Sequence, residues 1–269
     1  MLVIGERINA SNKSVAEAIA RKDEEFLANL ARAQAAAGAD FIDVNASTGR
    51  GSRQDEAATM GWLVETIQAA TDKPLAIDSD SPDVIEAALS KYQGEKLVIN
   101  SVTAEPAKLA TIGPLAAQRG AWVVALSMGA EGIPDSVEQR LAACEQIMTY
   151  LTGLGMEAKQ VFFDPLVLPL SVDPSQGLVT LKTIEQIKHH FPGARTVVGL
   201  SNISYGLPKR QLINRAFLLM AAYTGLDAVI IDPLDAKSMS FVRVADMIMG
   251  EDSSCRAYLI TYRKGAIVD

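Results

Sequence analysis

Short apolar runs alternate with longer amphipathic stretches along the whole chain, and this alternation constrains the fold more than any other feature. Each run has three to five residues and is rich in β-branched side chains, as is typical of strands buried on both faces. The stretches between them are long enough for helices that connect parallel strands. The predicted strands cover residues 2–4, 41–45, 75–77, 97–99, 122–126, 160–163, 196–198 and 228–231.

The intervening stretches predict helices with recognisable ends. Gly38 is expected to end the first helix, while Ser81 and Pro82 are expected to form the cap and first turn of another. The predicted helices cover about residues 15–37, 56–70, 82–91, 106–119, 137–154, 178–191, 212–223 and 238–249.

Eight strands alternating with helices, with no linker or low-complexity break, predict one α/β domain over residues 1–269. The expected fold is a single (β/α)8 TIM barrel. A doubly wound open sheet is the alternative, but no glycine-rich dinucleotide fingerprint follows the first predicted strand.

Composition excludes several classes of function. The 269 residues are 49% hydrophobic and 21% charged, which is typical of a globular protein. A net charge of −7 argues against a nucleic-acid partner or an anionic membrane surface. Cys144 and Cys255 are far apart and form no metal-binding motif. With no signal peptide and no apolar run near the length of a membrane span, we expect a cytoplasmic protein that does not enter membranes.

Polar side chains stand where the predicted strands end. In a parallel α/β fold these ends face the ligand site. Such a site would lack Lys, His and Cys, which argues against Schiff-base, histidine or thiol chemistry. Carboxylates and carboxamides suit a neutral ring rich in nitrogen, because a carboxylate can accept two N–H bonds from an aminopyrimidine edge. A magnesium site is compatible with these residues, but nothing requires one. The residues are Glu6, Asn9, Asp43, Asn45, Asp78, Asn100, Asp164, Asn202 and Asp232.

Some of these positions also have structural interpretations. Asp232-Pro233 and Asp164-Pro165 are typical of turns, although the strongly apolar strand before Asp164 favours a ligand role for it. Asp43 could cap a helix or pair within the barrel. The stretch GLSNIS, from Gly199 to Ser204, consists of ordinary turn residues, yet it would place Asn202 just beyond a buried strand. An amide there can hydrogen-bond a heterocyclic nitrogen without adding charge.

Taken together, these motifs resemble those of the methyltetrahydrofolate:corrinoid protein methyltransferases, a family of pterin-binding TIM barrels. The resemblance covers nearly the whole chain. Each motif is short, and their order and strand-end placement make the set specific. They are GERIN at 5–9, IDVNAS at 42–47, IDS at 77–79, INS at 99–101, DPLVLP at 164–169, GLSNIS at 199–204 and LINRAF at 212–217.

The resemblance implies a role for each matching position. Asp78, Asn100 and Asp164 would hold the pterin edge, and Asn202 would lie near N5 as the catalytic residue. Gly199 and Ser201 would shape the wall of the site next to Asn202, and Arg210 would lie at the mouth of the active site. The implied substrate-binding residues are Asp78, Asn100, Asp164, Gly199, Ser201, Asn202 and Arg210. The resemblance also implies a homodimer.

The implied reaction moves a methyl group between N5 of 5-methyltetrahydrofolate and the cobalt of a corrinoid (cobalamin) carried on a separate protein. Tyr205 stands where the branch serving the corrinoid/iron–sulfur protein has glutamine, and the loop from Ser47 to Arg53 also differs. These departures leave the corrinoid partner open, and they are compatible with methyl flow toward tetrahydrofolate. The alternatives are a dihydropteroate synthase-like enzyme and a non-catalytic pterin-binding barrel. The segment 230–238 lacks the Ser-x-Arg and Arg-x-His patterns expected of the synthase.

Overall fold

The strands close into a single parallel barrel. A computed structural model describes residues 1–47 and 52–268, and within these ranges eight strands pair in sequence order, with the last returning to the first. This confirms the predicted (β/α)8 architecture. The strands are β1 (Leu2–Asn9), β2 (Phe41–Asn45), β3 (Leu75–Asp78), β4 (Leu97–Val102), β5 (Trp122–Leu126), β6 (Val161–Asp164), β7 (Arg195–Gly199) and β8 (Ala228–Ile231).

Helices connect the strands around the outside of the barrel. In the described residues they are α1 (Lys13–Ala20), α2 (Glu24–Ala36), α3 (Arg53–Ala70), α4 (Pro82–Lys91), α5 (Pro106–Arg119), α6 (Val137–Gly153), α7 (Gln176–His190), α8 (Arg210–Tyr223), α9 (Ala236–Ile248) and α10 (Arg256–Arg263). No helix in these ranges has both the length and the apolar character that a membrane crossing requires.

One prediction about the helices was wrong, and one helix was missed. The expected helix over residues 15–37 is two helices, because Lys22 is left-handed at φ 54° and Asp23 then caps α2 by accepting the N–H of Phe26. The terminal helix α10 was not predicted. Its residues are all at least partly exposed, so it packs no fully buried side chain against the rest of the protein.

Two local predictions need refinement. Pro82 does occupy the first turn of α4, but the Ser81 side chain makes no capping hydrogen bond. The GLSNIS stretch is an ordered 3-10 helix from Leu200 to Ser204 that leads from β7 toward α8.

Side chains pointing inward from the strands fill the barrel with one apolar layer. Each strand contributes one buried residue to it: Ile4, Phe41, Ala76, Val98, Val124, Phe162, Val197 and Ala228. Trp122 packs beside this layer against Phe41 and Phe162, with the Arg195 guanidinium 4.5 Å from the Trp122 ring centroid. The barrel interior is therefore a packed core rather than a pore.

Gly5, in the GERIN motif, is required by packing between β1 and its neighbours. A β-carbon at this position would lie 2.7 Å from Gln34 Oε1 and 3.2 Å from the Pro233 ring. Gln34 is fully buried on α2, and its Oε1 accepts the backbone N–H of Arg7. The missing side chain at Gly5 thus lets α2 hold β1 through a buried amide.

Candidate active site

The polar strand-end residues form a layer directly above the apolar one. Alternate residues of a strand point to the same side, so the residue two positions after each core residue also faces the barrel axis. Asp43 follows Phe41, Asp78 follows Ala76, and Asp164 follows Phe162 in this way. The complete set at this level is Glu6, Asp43, Asp78, Asn100, Leu126, Asp164, Gly199 and Ile230, with Asn45 and Asp232 one step higher.

Two amide–carboxylate hydrogen bonds join the ends of β2, β3 and β4. Asn100 Nδ2 donates to Asp43 Oδ1 at 3.3 Å, and Asn45 Nδ2 donates to Asp78 Oδ2 at 2.7 Å. Asp78 and Asn100 are also register partners in the sheet. The structure thus brings two predicted pterin-binding residues together, and it assigns Asp43 the pairing role rather than the helix-capping role.

Burial raises the pKa values of the carboxylates in this group. Burial and the neighbouring Asp78 raise the pKa of Asp43 well above its ordinary value, against the hydrogen bond from Asn100. Burial likewise raises the pKa of Asp78, against the hydrogen bond from Asn45. Because the Asp78 charge disfavours ionisation of Asp43, the pair favours a state in which a proton is retained, unless a ligand supplies N–H donors.

Asp164, at the end of β6, is buried in a turn that its own side chain closes. Asp164 Oδ1 accepts the N–H of Leu166 at 2.8 Å, and Leu166 is left-handed at φ 66°. Burial raises the pKa of Asp164 to about 7, although the Leu166 N–H and the Arg140 charge oppose this shift. The turn and the ligand interpretations of Asp164-Pro165 are compatible, because only Oδ1 is used by the turn bond.

Arg140, on α6, supports this turn from behind and was not identified from the sequence. The side chain is fully buried, and its Nη1 donates to the carbonyls of Pro165 at 2.8 Å and Leu166 at 3.0 Å. Its Nη2 donates to Gln176 Oε1 at 2.7 Å, which ties α7 into the same network. An arginine near the start of an amphipathic helix has no sequence signal that distinguishes it from a solvated one.

Beyond β7, Asn202 folds back over the end of its own strand. A β-carbon on Gly199 would lie only 3.2 Å from Asn202 Nδ2, so the glycine makes room for the amide. Asn202 is exposed, and its side chain has no hydrogen-bond partner within residues 1–47 and 52–268. Its amide is therefore available to a ligand.

Ser201 and Arg210 form the outer part of this wall. Arg210 Nη2 donates to the Ser201 carbonyl at 2.7 Å, and Arg210 Nε donates to Ser204 Oγ at 3.1 Å. The Arg210 guanidinium also lies 5.9 Å from the Tyr205 ring centroid. Arg210 thus stiffens the 3-10 helix that carries Asn202 while its own side chain remains exposed.

A pocket of about 830 Å³ opens next to this wall, between the ends of β1, β7 and β8 and the start of α8. Glu6 lines it, and burial together with the Asp232 charge raises the pKa of Glu6 to about 7. Asp232 Oδ1 accepts the N–H of Leu234, which confirms the turn interpretation of Asp232-Pro233. The described residues contain no group of three or more metal-ligating acidic, histidine or cysteine side chains.

The predicted site residues all lie at the carboxyl end of the barrel, but not all are in contact. Asp78 and Asn100 are adjacent, Gly199 and Asn202 are adjacent, and Ser201 contacts Arg210. Among the described residues, no hydrogen bond links Asp164 to Asn202 or to the pair on β3 and β4. Their joint role in pterin binding stays a prediction.

The loop from Ser47 to Arg53 lies partly outside the described residues, since 48–51 are not among them. Arg53, the first residue of α3, forms ion pairs at 3.1 Å with Glu56 and Asp80. Asp80 follows the end of β3, so this charged cluster borders the mouth of the barrel beside Asp78.

Residues 5–232 match the family of pterin binding enzymes. The barrel, with its polar strand ends, is the scaffold of that class, and the chain belongs to this family. It is 33% identical over 271 residues to the methylcorrinoid:tetrahydrofolate methyltransferase of Eubacterium limosum, covering 99% of this chain and 98% of the relative. It is 31% identical over 245 residues to the methionine synthase of Mycobacterium tuberculosis, covering 86% of this chain but 20% of that protein.

Solved structures support the same fold. The 7,8-dihydropteroate synthase of Vibrio fischeri superposes with a TM-score of 0.72 at 19% identity over 92% of each chain. A dihydropteroate synthase of Coxiella burnetii, solved with pteroic acid, superposes with a TM-score of 0.69 at 15% identity over 93% of this chain and 94% of that one. At this level of identity the likeness defines the fold alone.

The raised pKa of Asp164 predicts a pH-dependent effect of Asp164→Asn. The native state holds the Asp164 proton more tightly than the unfolded state, so this group's stabilising effect is complete below about pH 4 and is lost as pH rises to about 7. Asn keeps the oxygen that accepts from Leu166 and cannot ionise. We expect Asp164→Asn to raise the free energy of unfolding at about pH 8 by up to about 4 kcal/mol, with a smaller effect at about pH 5.

Urea denaturation at both pH values measures this difference. Asp72→Asn, at an exposed position before β3, is the matched control for loss of one negative charge. Equal effects of Asp164→Asn at the two pH values would contradict the raised pKa.

Proposed function

We propose that this protein is a methyltransferase acting between N5 of tetrahydrofolate and the cobalt of a corrinoid supplied by a partner protein. The observation that carries this proposal is the 33% identity over nearly the full length of both chains to a methylcorrinoid:tetrahydrofolate methyltransferase. That name gives the methylcorrinoid as the donor, so we infer physiological flow toward tetrahydrofolate. The match to methionine synthase is compatible with the same use of folate.

The reaction transfers a methyl cation equivalent. Toward tetrahydrofolate, the N5 lone pair attacks the methyl carbon, and the cobalt–carbon bond breaks with both electrons left on cobalt, which is reduced from Co(III) to Co(I). N5 becomes positively charged and then loses its proton. In reverse, positive charge must build on N5 before, or as, the methyl group departs, because neutral N5 is a poor leaving group. A fixed polar group near N5 therefore stabilises the transition state in either direction.

Asn202 is proposed as that polar group. Its exposed amide beyond β7 has no partner among the described residues, and Gly199 leaves space for it to turn. Gly199 and Ser201 shape the wall that carries it, and Arg210 braces the wall through Ser201. The corrinoid supplies the reacting cobalt, and the protein contributes placement and electrostatics.

Asp78, Asn100 and Asp164 are proposed to hold the pterin edge. All three point toward the barrel axis from the carboxyl ends of their strands, above the apolar layer. The pKa values of Asp78 and Asp164 are raised by burial, so N–H donors from a pterin would favour their ionised forms. The three side chains thus supply unmet acceptor capacity to a ring rich in N–H groups.

Dihydropteroate synthase remains the alternative from the same superfamily. The synthase structures share the fold of this chain, but their sequence identity to it is no more than 20%. Segment 230–238 also lacks the basic patterns expected of the synthase. No feature of the site favours that reaction or a non-catalytic barrel.

We also propose that two copies of the chain form a homodimer in the cytoplasm. Two free cysteines suit a reducing compartment. Between α7 and α8 lies an apolar groove of about 390 Å³ in which Leu178 and Met220 are 57% and 53% exposed, and this groove is the proposed interface.

Sedimentation should give twice the 28.7 kDa of one chain, and Met220→Glu should lower the mass toward that of one chain. A wild-type mass of one chain would contradict the dimer.

The activity is tested by following cobalt spectra under anaerobic conditions. Purified protein mixed with methylcob(III)alamin and tetrahydrofolate should produce cob(I)alamin, and methyltetrahydrofolate with cob(I)alamin should run the reaction in reverse. A pterin-diphosphate condensation assay on the same sample tests the synthase alternative. Condensation without methyl transfer in either direction would overturn the proposed function.

Asn202→Ala should slow methyl transfer more than it weakens folate binding, because its contact strengthens as N5 gains charge. The loss is expected to raise the barrier by roughly 2.7–4 kcal/mol, the range found for preorganised oxyanion-hole donors. Single-turnover rates at saturating folate, with a parallel binding titration, separate the two effects. Asn29→Ala, on α2, is the matched control at an exposed asparagine. A wild-type rate in folded Asn202→Ala would reduce Asn202 to a turn residue.

A further inference from the structure

The proposed methyl transfer has two substrates, and the residues assigned above account for the folate alone. Cobalt lies at the centre of the flat corrin macrocycle. When its methyl group meets N5 near Asn202, the edges of the macrocycle must therefore extend over the residues that surround Asn202 at the mouth of the barrel. The loops after β5, β6 and β7 form this side of the mouth.

These three loops are tied to one another. Arg140 Nε donates to the Pro134 carbonyl at 3.0 Å and its Nη1 donates to the Pro165 carbonyl, so the loops after β5 and β6 share one buried guanidinium. The loop after β6 is in turn joined to the 3-10 helix after β7, because the Leu170 N–H donates to the Ile203 carbonyl at 3.1 Å. This side of the rim is therefore a preformed surface.

Tyr205, immediately after this 3-10 helix, is held by its backbone. Its N–H donates to the Asn202 carbonyl at 3.1 Å, and its carbonyl accepts the Ser171 hydroxyl at 2.6 Å. The side chain is 65% exposed, and among the described residues its hydroxyl forms no hydrogen bond. The Arg210 guanidinium lies 5.9 Å from the ring centroid, within the range of a cation–π contact. A fixed backbone thus presents a large aromatic side chain to solvent, three residues after Asn202.

Two further apolar side chains are exposed on the tied loops. Val172, directly after Ser171, is 76% exposed, and Ile133, directly before Pro134, is 41% exposed. The hydrogen bond from Ser171 to Tyr205 brings Val172 next to Tyr205, while Ile133 lies farther around the rim. Apolar side chains grouped beside a polar site, unlike singly scattered ones, mark an interaction surface.

The corrin macrocycle matches this surface in its chemistry. Its methyl-substituted edges are apolar, and its side chains end in amides. A tyrosine ring offers an apolar face to the macrocycle and a hydroxyl to an amide. Only two side-chain torsions have to be fixed when a tyrosine binds, so the entropic cost is small. Val172 adds apolar area beside the ring without adding charge.

We propose that Tyr205, together with Val172, binds the edge of the corrin macrocycle and holds the cobalt over the folate. The inference rests on the proposed function. Tyr205 is then a binding residue for the second substrate, whereas Asn202 acts at N5 of the first. The hydrogen bond between their backbones keeps the two substrate contacts in a fixed relation.

The test follows methyl transfer from methylcob(III)alamin to saturating tetrahydrofolate under anaerobic conditions. Tyr205→Ala should lower kcat/KM for methylcob(III)alamin about five- to tenfold, a loss of about 1.0–1.4 kcal/mol. Val172→Ser should give a smaller loss, and Tyr205→Phe should keep most of the wild-type value because the ring remains. Folate affinity, measured by calorimetric titration, should be unchanged in all three variants.

Methylcob(III)inamide, which has the macrocycle but lacks the nucleotide tail of cobalamin, locates the contact. The loss in Tyr205→Ala should be equally large with this methyl donor. A loss confined to methylcob(III)alamin would place Tyr205 against the tail and overturn the assignment to the macrocycle. Tyr223→Ala is the matched control, because Tyr223 is 81% exposed at the last residue of α8, at the end of the barrel opposite the mouth.

An unchanged kcat/KM in folded Tyr205→Ala would overturn the proposal. An equal loss of folate affinity would do so as well, since Tyr205 would then act by holding the Asn202 segment in place. A sedimentation mass that falls from two chains to one in Tyr205→Ala would instead assign this side chain to a contact between copies. Failure of the proposed function has a different signature, because the wild-type protein would then transfer no methyl group in either direction.

Discussion

The site depends on the apolar layer that closes the inside of the barrel. One buried side chain from each strand, from Ile4 to Ala228, fills the space around the axis. Strand alternation then requires that the next inward residue lie on top of this layer. Asp43, Asp78 and Asp164 therefore lie directly on this apolar layer, and their positions are set by the sheet rather than by loops.

The apolar layer also affects the protonation state of these carboxylates, because burial raises their pKa values. Removed from water, they hold protons more tightly than in solution, and Asp164 does so up to about pH 7. Their partners are amides and backbone N–H groups, while the buried guanidinium of Arg140 binds carbonyls behind the Asp164 turn. The site therefore has acceptors that a ligand rich in N–H groups can satisfy, and the protein keeps its own cations outside this layer, at the rim.

The sequence predicts the barrel and its strand-end residues because both depend on local patterns. Apolar runs locate the strands, and the first polar residue after Ile77 or Phe163 marks the inward position. Local patterns do not show which side chains of different strands meet, so the hydrogen bonds from Asn100 to Asp43 and from Asn45 to Asp78 were missed. Arg140 was missed because its partners are backbone carbonyls 25 and 26 residues away. The split before α2 depends on the backbone angle of Lys22, a residue type with no preference for that conformation.

Gly5 shows that a short motif can contain a residue that takes no part in the chemistry. Even a methyl group there would displace the Gln34 amide and crowd Pro233. The glycine of GERIN therefore reflects how α2 packs against β1, and this packing does not depend on the reaction at the active site. The substrate therefore has to be identified from the residues at the strand ends and not from this glycine.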